Sequence, residues 1–341
     1  MSDMRVRAVR GVPRLGTGDD LAALLATALA LAPPGERLTD GDVVCVSSKA
    51  VAKSEGRVLA ADREQVVRDE TVRVVARRGP LRVARTRHGL VLAAAGVDVS
   101  NTEPGTVVPL PVDPDASARR LRAELGRRTG RRVAVVVTDT AGRAWREGQT
   151  DIAVGCAGLA PLLDLAGQTD GYGTVLEVTA PAVADEVAAA ADLVTAKDAM
   201  TPAAVISGLG HLVLPADDPG PGATELSRAE GHDLFGLGAG DAVLAAVRRG
   251  EPDRAGFATD TRDLGVRVAE LARVAAAPFG AELQVTCDPS TGTVRASGDP
   301  LAAGALGERL RVLGWAAGCA VATLPGPGPG DTAAWMLTDS P

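Results

Sequence analysis

An α/β fold carrying a small C-terminal α+β module is what this sequence predicts, and three observations carry the prediction. β-branched runs such as VAVVVTDT (133–140) and DVVCVS (42–47) interleave with long Ala- and Leu-rich stretches, the pattern of mixed strands and helices that marks an α/β architecture. The 341 residues, at roughly 150 per domain, amount to about two domains. Residues 247–262 are dense in charge and poor in apolar pattern. The boundary is therefore placed near 250, with residues 1–250 as the larger domain and 251–341 as the module.

Each element follows in order. Residues 5–12 read as a short first strand. Asp19 and Asp20 open a helix that runs through LAALLATALAL to Pro33, because carboxylates ahead of an apolar run satisfy the free amides of a first turn. DVVCVS reads as a buried strand feeding a polar turn, and residues 63–78 as a helix. GLVLAAAG (89–96) is apolar and leads into Asp98, and residues 115–128 form an Arg-rich amphipathic helix. Residues 133–140 are the strongest strand of the chain, ending in an acidic residue and a hydroxyl. VLEVTA (175–180) reads as a strand and PAVADEVAAAADLVTA (181–196) as a long helix. AAVISGL (203–209) and HLVLPA (211–216) read as strands, and DDPGPGA (217–223) as a loop. In the module, a helix spans 262–276. AELQVTC (281–287) and TVRAS (293–297) make a hairpin about DPSTG. A helix over 301–318, the loop LPGPGPGD (324–331) and a last strand, AAWMLT (333–338), complete it. The module shows no cluster of His, Cys or carboxylates at catalytic spacing and reads as structural or as an interface.

Composition excludes several functions. With 46% hydrophobic and 23% charged residues the chain has a core to bury and is not disordered. Only 2% of residues are aromatic, too few for a single-strand nucleic-acid binder built on stacking. A balance of 36 basic against 43 acidic residues, net −7, argues against a nucleic-acid partner. Cys45, Cys156, Cys287 and Cys319 form no CxxC pair, so neither a zinc cage nor a disulfide framework is expected. No run of 18 apolar residues exists and Met1–Arg10 holds no apolar signal core; no membrane partner is expected, and a cytoplasmic location with reduced thiols is. Cation usage is skewed: Lys49, Lys53 and Lys197 are the only lysines among 36 basic residues. A mutational bias toward Arg explains the skew, and leaves open where the three lysines sit.

Four segments can carry chemistry. In VCVSSKAVAKSEGR (44–57) a strand delivers Ser47 and Ser48, then Lys49, Lys53 and Arg57. Ligands of open α/β proteins sit at strand ends, and hydroxyls with ammonium groups suit phosphate oxygens. The Walker A spacing is absent, and a solvated loop explains this segment equally well. In RHGLVLAAAGVDVSN (87–101) Asp98 and Asn101 arrive together, as ligands for a metal and a base or phosphate, or as an Asx turn. In VVVTDTAGRAWREGQTD (135–151) Asp139 and Thr140 end a buried strand, and Arg143 and Arg146 flank Trp145. Asp98 and Asp139 both follow apolar strands and together suit Mg²⁺ or Mn²⁺, which take a few carboxylates plus phosphate oxygens and water. The two arginines suit an anionic substrate; surface salt bridges, and a core contact for Trp145, are the plainer reading. In ADEVAAAADLVTAKDAMTP (184–202), Asp185 and Glu186 sit near a helix start, where the macrodipole alone places acids. His88 is isolated and reads as a structural or substrate contact; His211 and His232 read as ordinary polar residues.

These segments, in this order, resemble the coenzyme F420-0:L-glutamate ligase (F420-0:γ-glutamyl ligase) family. The matching stretches are GVPRLGTGDDL (11–21), SSKAVAKSEGR (47–57), RHGLVLAAAGVDVSN (87–101), VTDTAGRAWREGQTDIAVG (137–155), VTAPAVADE (178–186) and HDLFG (232–236). The resemblance implies the mixed-sheet F420 ligase-type fold and a homodimer. It implies a reaction in which GTP and a divalent metal, Mg²⁺ or Mn²⁺, support amide-bond formation between F420-0 and L-glutamate through an acyl phosphate. K⁺ belongs to the same set, its requirement left open. Carried over by motif, Gly11, Val12, Pro13 and Arg14 line the GTP site with Ser48, Lys53 and Asn101; Asp98 and Asp139 hold one metal and Thr140 contributes to a second. The segment 195–202, with Lys197, completes the nucleotide pocket. Asp98, Asp139, Lys53, Arg143 and Arg146 form the catalytic set, the two arginines holding anionic groups of F420-0 or glutamate and Trp145 packing on the deazaflavin. Two departures stand out: Thr195-Ala196 replaces a common Met-Gly, and Ser207 stands where an Arg is common. Some relatives fuse a nitroreductase domain; residues 251–341 are too few for that flavin fold, so no FMN is expected. The alternatives are a related amide ligase that uses another carboxylate acceptor, and a catalytically silent nucleotide-binding scaffold.

Overall fold

The computed structural model describes residues 3–195, 201–228, 237–248, 262–325 and 328–339. The chain divides into two compact units, Met1–Arg228 and Ala229–Pro341. The boundary expected near 250 lies outside the described residues.

The first unit is built on a five-stranded sheet. Its strands are β1 (Arg5–Ala8), β2 (Val43–Ser47), β6 (Ala134–Gly142), β7 (Gln149–Ala157) and β8 (Ala203–Ser207), in the order β1-β8-β2-β6-β7. Only β2 and β6 run parallel; the other neighbours are antiparallel. The helices are α1 (Leu21–Leu31), α2 (Ser48–Ser54), α3 (Arg63–Glu70), α4 (Pro114–Thr129) and α5 (Val183–Asp192). Two cores explain the long valine runs. Val44, Val46, Val135 and Val137 face a cluster shared with Leu25 of α1 and Leu121 and Leu125 of α4. Val43, Cys45 and Val136 face the opposite cluster, with Val183, Val187 and Ala188 of α5. Strands covered on both faces read as unbroken apolar runs. Caps fix the helix starts: Asp20 accepts from the Ala23 amide and Asp113 from the Ala116 amide, and Gly130, left-handed at φ +66°, ends α4.

Several expectations are corrected. The helix placed over 63–78 stops at Glu70. Thr71–Arg78 is instead strand β3, paired with β4 (Leu81–Thr86), which pairs with β5 (Val91–Ala93). The reason is period: after Glu70 the β-branched TVRVV alternates about the backbone, and Gly79-Pro80 turns the chain back. No strand forms over 175–180. Val175 and Val178 are exposed there, and an apolar run with nothing to cover it gains nothing from a sheet; it is tied loosely back on 163–168. Residues 211–216 are no strand either. Val213 bridges Leu159, and the Arg122 guanidinium holds the carbonyls of Leu214, Pro215 and Asp218 in place of a ladder. The first strand covers Arg5–Ala8 and not 5–12. α2 and β7 were not foreseen.

The second unit contains α6 (Ala239–Arg248), α7 (Leu264–Ala276), β9 (Leu283–Asp288), β10 (Thr293–Gly298), α8 (Pro300–Ala317), β11 (Cys319–Thr323) and β12 (Ala333–Asp339). The strands form an antiparallel sheet in the order β11-β12-β10-β9, and the expected β9–β10 hairpin is present. Val268, Leu306, Leu310, Val294, Trp335 and Leu337 make its own core. α6 and β11 were not foreseen.

Candidate active site

Parallel strands deliver their C-terminal residues to one end of a sheet. Here β2 delivers Ser47 and the start of α2, and β6 delivers Thr138, Asp139 and Thr140. These residues line a cleft of about 530 Å³ with Pro13, Arg14, Lys49, Lys53, Asp98, Asn101 and Asp151. Ser48, buried at the first position of α2, donates to Asp139 Oδ1 at 2.8 Å.

Lys49 and Lys53 stand one turn apart on α2 and hold the 98–101 loop. Lys49 Nζ is 2.6 Å from Asp98 Oδ2, and donates to the Ser100 carbonyl at 2.9 Å and its hydroxyl at 2.7 Å. Lys53 Nζ donates to the Asn101 carbonyl at 2.7 Å. Asp98 also accepts from the Ser100 amide at 2.7 Å, the Asx turn that is the plainer reading of this segment. Asn101 takes φ +52°, a conformation Asn tolerates better than most residues.

The electrostatics divide the cleft. Burial pushes the Asp139 carboxyl up to about 7, reinforced by the charges of Asp151 and Asp98 and opposed by Ser48. Burial also acts to raise Asp98, but the Lys49 and Ser100 hydrogen bonds outweigh it and hold that carboxyl below its ordinary range. Lys53 is lowered, first by burial and then by the neighbouring charges of Lys49 and Arg14. The cleft thus holds a buried carboxyl that resists ionisation and a lysine that resists protonation, an arrangement that a polyanion with its metal ion would relieve.

The donor set fits a hard divalent cation. Asp98, Asp139 and Asp151 with the Thr138 and Thr140 hydroxyls supply oxygen ligands only. Among the described residues no three His, Cys, Asp or Glu side chains close into a cage.

The structure brings Pro13, Arg14, Lys53, Asp98, Asn101, Asp139 and Thr140 into the cleft wall, with Ser48 behind Asp139. Gly11 and Val12 do not line it. Val12 packs against the larger core and Gly11, at φ +81°, turns the chain toward Pro13 and Arg14. Arg143 and Arg146 lie at the exposed tip between β6 and β7, where Arg143 donates to the Glu147 carbonyl at 3.0 Å. Trp145 is no core contact: it is 89% exposed, with φ +62°. Lys197 and the HDLFG segment lie outside the described residues. His88 Nε2 sits 3.1 Å from the Val112 carbonyl, away from this cleft. Asp151, Thr138 and Arg63 also line it and were not singled out from the sequence. For Asp151 the signal was there in principle: pairing GQTDIAVG back on VTDTAG across the intervening turn sets it against Thr140.

No helix among the described residues is long and apolar enough to cross a membrane. The sequence model of the F420-0:Gamma-glutamyl ligase family matches residues 11–208, which contain every cleft residue named above. The chain is 40% identical over 227 residues to the coenzyme F420:L-glutamate ligase of Methanothermobacter thermautotrophicus, covering 60% of this chain and 89% of that protein. It is 36% identical over 222 residues to the ligase of the same name from Archaeoglobus fulgidus, covering 59% and 86%. The Methanopyrus kandleri ligase is 35% identical over 253 residues, covering 68% and 97%. With a family match over more than half its length, centred on the cleft, this chain is a ligase that belongs to the F420-0:γ-glutamyl ligase family.

Proposed function

We propose that the chain joins L-glutamate to coenzyme F420-0 in a GTP- and divalent-metal-dependent reaction, and that its first unit is the F420 ligase-type fold. One observation carries the reading: a single cleft gathers the carboxylates Asp98 and Asp139 with the cations Arg14, Lys49 and Lys53. The γ-phosphoryl group of GTP passes to the F420-0 carboxylate, releasing GDP; the glutamate amine displaces the phosphate, and an amide forms as a proton is lost. Asp98 and Asp139 would hold one Mg²⁺ or Mn²⁺ and Thr140 would contribute to a second, supplying charge neutralisation on the transferring phosphoryl group. Pro13, Arg14, Ser48, Lys53 and Asn101 place the nucleotide, with Gly11 and Val12 shaping the loop that presents them. The motif resemblance assigns Lys197 to the same nucleotide. The exposed Arg143 and Arg146 guanidiniums offer donor forks for the carboxylate or phosphate groups of F420-0 or glutamate, and the Trp145 ring beside them a flat surface for the deazaflavin. A cytoplasmic homodimer without bound FMN, with K⁺ as a further ion, belongs to the same proposal. The test incubates the protein with F420-0, GTP, L-glutamate and Mn²⁺ and weighs the products. A glutamyl mass increment with GDP release is expected. GDP release only with another carboxylate acceptor would replace F420-0 as the substrate, and no nucleotide binding would end the reading.

A further inference from the structure

The β6–β7 ladder contains one irregularity, and it decides where Asp151 sits. In continuous register from Val137↔Gly155, Thr138 would face Val154 and Thr140 would face Ile152. The register shifts just after Val137, so Thr138 faces Ala153 and Thr140 faces Asp151. A bulge of this kind re-aims every side chain beyond it. Residues on the same strand alternate faces, so Thr138 and Thr140 share one face while Asp139 between them turns to the other, toward Ser48. Asp151 joins the two threonines: its Oδ2 accepts from Thr138 Oγ1 at 2.9 Å and its Oδ1 from Thr140 Oγ1 at 2.8 Å. All three residues line the cleft.

A hydroxyl has one proton and two lone pairs. With both protons committed to Asp151, the oxygens of Thr138 and Thr140 have only lone pairs to offer a further partner. Lone pairs suit a cation and repel phosphate oxygens. We infer that Asp151 is a positioning residue, fixing Thr138 and Thr140 as acceptors for a divalent cation in the cleft. The inference rests on the metal-dependent reading above and adds the residue that orients its hydroxyl ligands. It requires a carboxylate. An amide at the same place would donate to one of the two hydroxyls, whose proton would then turn elsewhere.

The test is Mn²⁺ binding to the whole protein without nucleotide, read from the electron paramagnetic resonance of free Mn²⁺. The wild type binds. Asp151→Asn weakens binding about 10–100-fold, the range for partners that orient metal ligands, and Thr140→Val weakens it similarly. Adding Asp151→Asn to a Thr138→Val/Thr140→Val variant costs no further affinity, since Asp151 acts through those two hydroxyls. If the losses instead multiply, Asp151 acts only as a distant charge and the inference is overturned, as it is by an unchanged affinity in Asp151→Asn. Should that variant fail to fold, Thr138→Ser, which keeps the hydroxyl, is compared with Thr138→Val, which does not. Only the second loses affinity, and equal affinities overturn the inference. A wild type that takes up no Mn²⁺, whether without nucleotide or with GDP, refutes the metal reading itself, an outcome distinct from either.

Discussion

Replacing Ser48 with alanine removes one hydrogen bond from the Asp139 carboxylate and leaves the rest of the cleft in place. That carboxyl sits at about 7 because burial and two neighbouring acids outweigh the Ser48 hydroxyl, the one side-chain donor that favours its charged form. A hydrogen bond to a charged group contributes about 1.5–3 kcal/mol, and one pKa unit is about 1.4 kcal/mol. Losing the bond therefore pushes the Asp139 carboxyl further up, by about 1–2 pH units. At pH 7 its ionised fraction falls from about one half to between about one tenth and one hundredth. A metal requires the deprotonated ligand, so apparent Mn²⁺ affinity at pH 7 falls about 5–50-fold. The sign follows from the raised value: the proton stays until the pH climbs past that value, so Mn²⁺ uptake rises with pH and releases a proton. Binding isotherms across neutral pH should show the midpoint of uptake moving up by about 1–2 units in the variant, with full affinity regained at high pH. An unmoved midpoint, or uptake independent of pH in both proteins, would refute the reasoning.

Four further outcomes are expected. Between the ordinary value of 3.8 and about 7 the folded protein keeps a proton on Asp139 that the unfolded chain has lost, so rising pH costs stability across that window; Asp139→Asn should raise Tm at pH 8 and leave it unchanged near pH 4, measured by calorimetry. Lys53→Arg should raise the KM for GTP although it keeps the charge, because a planar guanidinium cannot repeat the compact contact with the Asn101 carbonyl; wild-type kinetics would remove Lys53 from the nucleotide site. Arg143→Ala or Arg146→Ala should raise the KM for F420-0 or glutamate, or abolish turnover, without lowering Tm, since both side chains are exposed; unchanged kinetics would end their role. Gly155→Ala would place a Cβ 2.3 Å from the Pro114 carbonyl oxygen, so β7 and α4 must part; a loss of about 1–3 kcal/mol in denaturant unfolding is expected, and a neutral result would contradict the close packing there.

How far the sequence could be read followed from burial. β2 and β6 are covered on both faces, so their valines stand in unbroken runs and both strands were evident. β7 lies at the edge of the sheet and begins with the polar Gln149, Thr150 and Asp151, so it carried no comparable signal. The error at 63–78 had a related cause. Charge is dense on both sides of Glu70, and only the change from helical to alternating period marks the end of α3. In the site, Ser48, Asp98, Asp139 and Thr140 were visible because each comes after an apolar run. Asp151 precedes its apolar run, and only strand register, shifted by the irregularity after Val137, sets it against Thr140. Register is a property of two segments paired in space, which a pass along one chain does not contain.

The lysines show what composition and structure say together. A bias toward Arg explains why 36 basic residues include so few lysines; it does not explain why two of the three stand one turn apart on α2. Lys49 gives its three donors to a carboxylate, a carbonyl and a hydroxyl within three residues, Asp98 to Ser100. A guanidinium fixes its donors in one plane, whereas an ammonium directs three from a single point. That geometry suits contacts converging from several directions. Lys53 adds the Asn101 carbonyl, so the loop that carries Asp98 and Asn101 is held from α2 at both ends. The same arrangement packs Lys49, Lys53 and Arg14 closely enough that each cation disfavours the charge on Lys53. The protein's own carboxylates leave that repulsion partly unrelieved, and a polyphosphate placed against the three cations would relieve it. Lys49 thus serves as the staple of the acidic loop, and Lys53 as the cation whose charge the cleft leaves partly unbalanced.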